Sequence, residues 1–452
     1  MKILIAGCGQ VGETLAQELS SEKHDITLID SDPKVLQMGM ERYDVIAFEG
    51  NCASMKTLEQ AGVMDADLLI ACTGSDELNL LSCMTAHTMN PDLHTIARIR
   101  DPEYTEQTYR MRDAFALSMV FNPEHQAARE IARLLKFPGF LKRDSFAKGR
   151  VEIVEVRVDK DSRLQNVALN QLSGIIKCRV LVCAVLRNGV AIAPAGSFVL
   201  EEGDRIFVTA STDNLATLLK NLGIVTHKVR NVMLIGGGKV AYYLSEMLQE
   251  SGIDLTLIES DEERCRELAI AFPQADIIHG DAREQSLLES EGISKADAVV
   301  SLTGLDELNM MLALYAKHCE VPQIITRVEY LDEAGIMGKL SLGSTVCPRK
   351  LCCNNVVRYV RAMQNQVGAA VTLHSIADGQ AEALEFHVDE HALHCGEPLK
   401  KLKLRANVLL VAISSGSKTE IPGGDSSFRV GDNVIVVASG DTAIHQFNDI
   451  FA

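Results

Sequence analysis

The residues of this chain best suited to chemistry are a glycine turn, Gly7-Cys8-Gly9-Gln10-Val11-Gly12, and the acid that follows it, Asp30. Glycines at these spacings bend the chain sharply, let a pyrophosphate reach the backbone, and let the next helix pack close to the preceding strand. The unpaired N–H groups and positive dipole end of that helix then favour an anion. An acid roughly 20 residues past the turn accepts hydrogen bonds from ribose hydroxyls, and its charge opposes a 2′-phosphate. The chemistry implied is non-covalent capture of a nucleotide through ribose and phosphate.

The same set is written a second time. Gly236-Gly237-Gly238-Lys239-Val240-Ala241 repeats the turn, and Glu259 stands 229 positions after Asp30, as Gly236 does after Gly7. Ala241 replaces the third glycine, and Lys239 adds a positive charge. This is no P-loop, because the Ser or Thr after Lys and the long gap between glycines are missing. Asn51 and Asp281, each preceded by glycine, close third strands beside the same crevices. Thr73-Gly74-Ser75-Asp76-Glu77-Leu78-Asn79 returns as Thr303-Gly304-Leu305-Asp306-Glu307-Leu308-Asn309. Asp76 and Asp306 suit helix N-caps. Thr73, Gly74, Thr303 and Gly304, at strand ends, would line the adenine and ribose side. Arg98 and Arg327 end the fifth strands, where a guanidinium suits either a diphosphate or a surface ion pair.

Apolar runs at 3–6, 26–29, 45–48 and 68–71, with a fifth strand at 94–97, must be the strands that hold these groups, with helices between them, such as the one whose stripe is Val11, Leu15 and Leu19. Strands alternating with helices at this spacing give a parallel sheet with right-handed crossovers. The fold class expected is therefore α/β, with two Rossmann-like parallel-sheet domains at 1–122 and 227–347. Each is followed by a peripheral helix (123–140 and 348–366) and a small βα domain (141–226 and 367–452). The helix after Pro123 carries Ala127, Ile131, Leu134 and Leu135 on one face and should end near Pro138-Gly139. It needs another surface to cover that face. Self-association through this helix and the one after Pro348, with Val357 and Val360, follows as an expectation. Within the first small domain we expect a strand over 151–158, a helix around 164–172, and strands over 180–186 and 205–209. An internal duplication of this length is the strongest single observation.

Composition sets the limits. A formal charge of −17 argues against nucleic acid as a partner and against electrostatic adsorption to anionic lipid. No apolar run approaches the roughly 20 residues of a membrane span, and Met1 opens directly into a strand without a signal peptide. The twelve cysteines show no CxxC pair, and Cys347, Cys352 and Cys353 read as helix packing rather than a metal site, as in a cytoplasmic protein with reduced thiols. No acid/base pair or nucleophile recurs at equivalent strand ends, which disfavours the alternative of a soluble NAD-dependent oxidoreductase.

Two dinucleotide-type domains, each followed by a short β-rich domain with a Gly-Asp start (Gly203-Asp204 and Gly431-Asp432), resemble the tandem RCK proteins over almost the full length. The resemblance implies a non-catalytic cytosolic subunit that binds nucleotides and gates potassium uptake. It implies a homo-oligomeric, tetrameric ring under a potassium-translocating membrane subunit of the TrkH/TrkG type, peripheral to the inner face of the cell membrane. By that similarity Gly7 to Val11, Asp30, Thr73, Gly74 and Arg98 would hold NAD(H). Gly236 to Val240, Glu259, Thr303, Gly304 and Arg327 would hold NAD(H) or ADP/ATP.

Overall fold

A computed structural model describes residues 1–136, 140–160, 162–222, 228–329, 343–363, 370–416, 418–440, 444 and 446–452. The expected helix end at Pro138-Gly139 and the domain boundaries at 226 and 366 lie outside these residues. Two compact units emerge, and they do not follow chain order: residues 1–129 are joined by 347–360, and 130–346 by 361–452.

The first parallel sheet holds β1 (Lys2–Ala6), β2 (Asp25–Asp30), β3 (Val45–Glu49), β4 (Leu68–Ala71), β5 (His94–Arg98) and β6 (Met119–Phe121). Their order is β3-β2-β1-β4-β5-β6. The chain reverses direction across the sheet between β1 and β4, and a parallel sheet binds ligands at the carboxyl ends of its strands at such a switch point. Ile3, Ile5, Leu68, Leu69 and Ile70 are essentially inaccessible, as expected of strands covered on both faces. Val11, Leu15 and Leu19 of the helix Gln10–Ser21 are buried, as the stripe predicts. The second Rossmann-like domain repeats the order with strands Asn231–Ile235, Asp254–Glu259, Asp276–His279, Ala298–Ser301, Gln323–Arg327 and Ser344–Val346.

Each small domain is a five-stranded sheet. In the first, Lys142–Phe146 and Val190–Ile192 flank Val151–Arg157, Arg205–Ser211 and Leu181–Arg187, all paired antiparallel. The helix expected around 164–172 is not formed there. Asn166 adopts a left-handed φ of 62°. The backbone N–H groups of Asn166, Leu169 and Asn170 bond the carbonyls of Leu200, Phe198 and Gly196. Pairing with that segment replaces most helical bonds, leaving a single 3-10 turn at Leu169–Gln171 before the short helix Leu172–Ile176. A helix at Thr212–Leu222, which the sequence reading passed over, buries Leu218, Leu219 and Leu222. One continuous core joins the inner faces of both small sheets, from Phe146, Val151, Ile153 and Phe207 to Ile376, Ala383, Val411 and Ile435.

The peripheral helices correct an expectation. Asn122 caps the helix Pro123–Lys136 through a bond from His125 N–H (2.9 Å), with proline at the first helical position. At its other end, the buried Gln323 side chain donates to the Leu134 carbonyl at 2.8 Å, and Ser344 Oγ donates to the Phe140 carbonyl at 3.2 Å. The helix Pro348–Met363 lies against the first Rossmann-like domain. Cys353 Sγ donates to the Val11 carbonyl, and Tyr359 OH lies 3.0 Å from His94 Nδ1. Leu134, Leu135, Val357 and Val360 are thus buried within one chain. The apolar face expected to drive self-association is already covered within the chain. Cys352 and Cys353 are buried in this helix as packing thiols.

Candidate nucleotide sites

At the first switch point Gly7 takes φ +95°, and a Cβ there would meet Thr73 N at 2.7 Å. The turn therefore lies directly beside the loop after β4. A Cβ on Gly12 would collide with the Gly7 carbonyl oxygen, so this glycine serves the close helix–strand approach. Gly9 is different: nothing lies within 4 Å of its Cβ position, and it is the helix N-cap without a side-chain cap bond. No protein atom requires a glycine at position 9, whereas a phosphate approaching the helix N-terminus would.

Asp30 is more than a ribose acceptor. Its carboxylate accepts the Cys8 N–H at 2.7 Å and the Asp32 N–H at 3.0 Å, so it also ties the glycine turn to the end of β2. Cys8 and Val11 send their side chains into the core, and burial, followed by the Asp30 carboxylate, pushes the Cys8 thiol up. These two residues can meet a ligand only through their backbone. Gln10 is exposed at the first helical position, and Asn51 is exposed with its Oδ1 accepting from Ala53 N–H.

The Thr-Gly-x-Asp-Glu-Leu-Asn segment proves to be a bracket. Asn79, completely buried, accepts from Thr73 N and Oγ1 (both 2.8 Å) and donates to the Arg98 carbonyl at 2.9 Å. It fixes the ends of β4 and β5 together. Ser75, not Asp76, caps the helix Asp76–Met89. Buried Asp76 accepts the N–H groups of Arg100 (2.7 Å) and Asp101 (2.8 Å) instead, because one residue into the helix its carboxylate faces the next strand end. Arg98 donates from Nη2 to the Thr73 carbonyl at 2.6 Å, while its buried Nε has no partner among the described residues. Arg100, which sequence reasoning missed, donates to the Gly74 carbonyl. Two guanidinium groups are thereby set over the β4 end of the crevice.

The second site keeps the scaffold and changes the charges. Gly236 has φ +103°, Gly238 caps the helix Lys239–Glu250 with open space at its Cβ position, and Ala241 is fully buried where Gly12 stands in the first half. Val240 packs in the core. Glu259 accepts from Gly237 N (2.6 Å), Ser260 N (2.6 Å), Asp261 N (2.8 Å) and Ser260 Oγ (3.1 Å). Burial pushes this carboxyl up, but the N–H groups of Asp261 and Gly237 and the Ser260 bonds outweigh it, holding it below the ordinary glutamate range. Asp281 is paired with Arg283, which with its N–H bond lowers the carboxyl to about 2. Asn309 repeats the bracket with Thr303 and the Arg327 carbonyl, and Gly304 is exposed beside it. Arg327 gives Nε and Nη2 to Glu329 Oε1 at 3.1 and 2.7 Å, a part-buried ion pair at the strand end. Asp306 receives Glu329 N–H at 3.0 and 2.9 Å, in the role Asp76 has for Arg100.

The TrkA-N domain model matches residues 3–123 and 232–348, and the TrkA-C domain model matches 153–223. The chain belongs to the TrkA family of potassium uptake proteins. A Trk system potassium uptake protein TrkA from Haemophilus influenzae is 31% identical over 459 residues, covering 100% of this chain and 98% of that one. A TrkA homologue from Archaeoglobus fulgidus is 31% identical with 100% coverage of both. The TrkA fold also extends to solved RCK structures. The GsuK RCK domain matches 97% of this chain and 92% of its own at TM-score 0.62 and 17% identity. The GsuK channel bound to NAD matches 97% and 76% at TM-score 0.60 and 18% identity. Among the described residues no helix is long and apolar enough to cross a membrane.

Proposed function

We propose that this chain is a nucleotide-responsive regulatory subunit of a Trk-type potassium uptake system. It works on the cytoplasmic side and is held at the membrane by a potassium-translocating subunit of the TrkH/TrkG type rather than by lipid. The observation that carries this reading is the duplicated crevice: two helix N-termini without side-chain caps, each beside an acid-bearing strand end at a sheet switch point, in one TrkA-family chain. The ligands are adenine nucleotides, with NAD(H) the sequence-based choice for the first crevice and NAD(H) or ADP/ATP for the second. NAD in a GsuK channel of the same fold supports that class.

No bond need be made or broken. A nucleotide that binds one arrangement of the domains more tightly shifts the population toward it. A coupling of about 1–3 kcal/mol, usual for allosteric sites, changes an equilibrium about 5- to 150-fold. Several chains close into a homo-oligomeric ring, which we take as tetrameric, under the membrane subunit. The test is co-purification with a TrkH-type subunit, together with incubation of the protein with NADH and a panel of carbonyl compounds. Capture of the membrane subunit without NADH consumption supports the reading. Substrate-dependent NADH oxidation, or a strict monomer that captures no membrane subunit, overturns it.

A further inference from the structure

The two crevices share a backbone and carry opposite charge patterns. In the first, Arg100 is seated by Asp76 through its N–H at 2.7 Å and reaches the Gly74 carbonyl beside Arg98. In the second, the same seat on Asp306 is taken by Glu329, which engages Arg327. At the opposite side of each crevice the order is reversed: the first helical residue is neutral Gln10 in one half and cationic Lys239 in the other.

Strand order converts this into ligand order. With the ribose at the end of β2 and the first phosphate at the turn after β1, whatever follows the phosphates runs toward the ends of β4 and β5. A chain of phosphates running that way meets Arg98 and Arg100 in the first crevice. In the second it meets the Arg327–Glu329 ion pair, whose carboxylate offsets the guanidinium so that no excess positive charge is offered to a further phosphate, while Lys239 and the helix N-terminus still favour phosphates near the turn. A neutral or cationic second nucleoside is compatible with Glu329.

Resting on the nucleotide reading above, the geometry points to a division of ligands. The first crevice takes a nucleoside polyphosphate whose terminal phosphate meets Arg98 and Arg100. The second takes a dinucleotide whose second nucleoside faces Glu329. This replaces the sequence-based choice of NAD(H) for the first crevice.

Single-crevice chains make the test clean. Gly9→Val and Gly238→Val each put a side chain where no protein atom lies within 4 Å, on backbones (φ −65° and −66°) that valine accepts. Each blocks its own crevice without touching the other. Unligated thermal unfolding checks that both fold, with alanine at the same positions as the smaller alternative. Calorimetry of the full chain with ATP and with NAD⁺ is expected to show ATP binding at least about tenfold tighter in Gly238→Val, and NAD⁺ at least about tenfold tighter in Gly9→Val. Adding Glu329→Arg to Gly9→Val should raise ATP affinity about tenfold or more, and Glu329→Gln should fall between. The same preference at both crevices, or an ATP to NAD⁺ ratio unmoved by Glu329→Arg, overturns the division while leaving nucleotide binding intact. Failure of the unmodified chain to bind either probe overturns both.

Discussion

Asp144 and His374 occupy equivalent positions in the two small domains and meet, Asp144 Oδ1 lying 3.1 Å from His374 Nδ1. Around them the exchange is reciprocal. Gln380 accepts from Ala191 N–H and donates to the Gly189 carbonyl, while Arg150, at the matching position of the first domain, donates to the Gly416 carbonyl. The duplicated small domains therefore form a pseudo-two-fold pair within one chain, and its contacts are complementary rather than identical: an acid faces a base where a true two-fold would set like against like.

Burial raises the Asp144 carboxyl, but Lys142, His374 and Arg133 together bring it below the ordinary aspartate value. A folded value lower than the unfolded one means stability that is complete above the unfolded value, about 3.9, and is lost as pH falls through the folded one. Asp144→Asn should cost about 1.5–3 kcal/mol at pH 7, the range for hydrogen bonds to charged groups. It should also flatten the fall in stability below about pH 4. Urea unfolding at a series of pH values checks both, and a variant with the unmodified pH profile would show that Asp144 does not set this acid sensitivity.

Asn79 and Asn309 are wholly inaccessible, and each joins two strand ends by its amide. Asn79→Ala leaves buried N–H and carbonyl groups without partners, an expected loss of about 3 kcal/mol. Because the bracket positions Thr73 and Arg98, nucleotide affinity at the first crevice should fall while the second keeps its own. Calorimetry beside thermal unfolding measures the two effects, and Asn309→Ala should give the mirror result.

The glycines of the first turn should separate by role. At position 12 a methyl group collides with the Gly7 carbonyl, which is backbone and cannot swing aside. Gly12→Ala should destabilise the first domain by about 3 kcal/mol, at the upper end of overpacking costs. Gly9→Ala meets open space and should leave the unfolding midpoint unchanged while weakening nucleotide binding. Equal loss of stability in both variants would contradict the assignment of Gly9 to the ligand.

Much of this architecture was legible because it is periodic. Alternating apolar runs and the 229-residue offset between Gly7 and Gly236 carry the parallel sheets, and the glycine spacings carry the switch-point turn. The exchange of peripheral helices was not legible. An apolar stripe such as Ile131, Leu134 and Leu135 states that a face is covered, not what covers it. The 164–172 segment reads as helix for a similar reason: Leu164 and Leu172 are buried as in a helix, but the backbone spends its hydrogen bonds on residues 196–200. Asp76 and Glu329 needed the structure because their roles are set by partners about 24 residues away in the chain. The repeated Asn79 and Asn309 were visible as a pattern, and a buried amide recurring beside two strand ends was the signal that could have assigned them.

On the proposed function, nucleotide occupancy of these crevices sets potassium permeation. The most direct test is potassium flux through a TrkH-type subunit reconstituted in vesicles with this chain, measured with and without ATP and NADH. The unmodified chain is expected to make flux depend on nucleotide, and a chain carrying both Gly9→Val and Gly238→Val to assemble normally but leave flux indifferent to it. Flux that ignores nucleotide with the unmodified chain, or that responds equally with the doubly blocked chain, would overturn the regulatory role of both crevices.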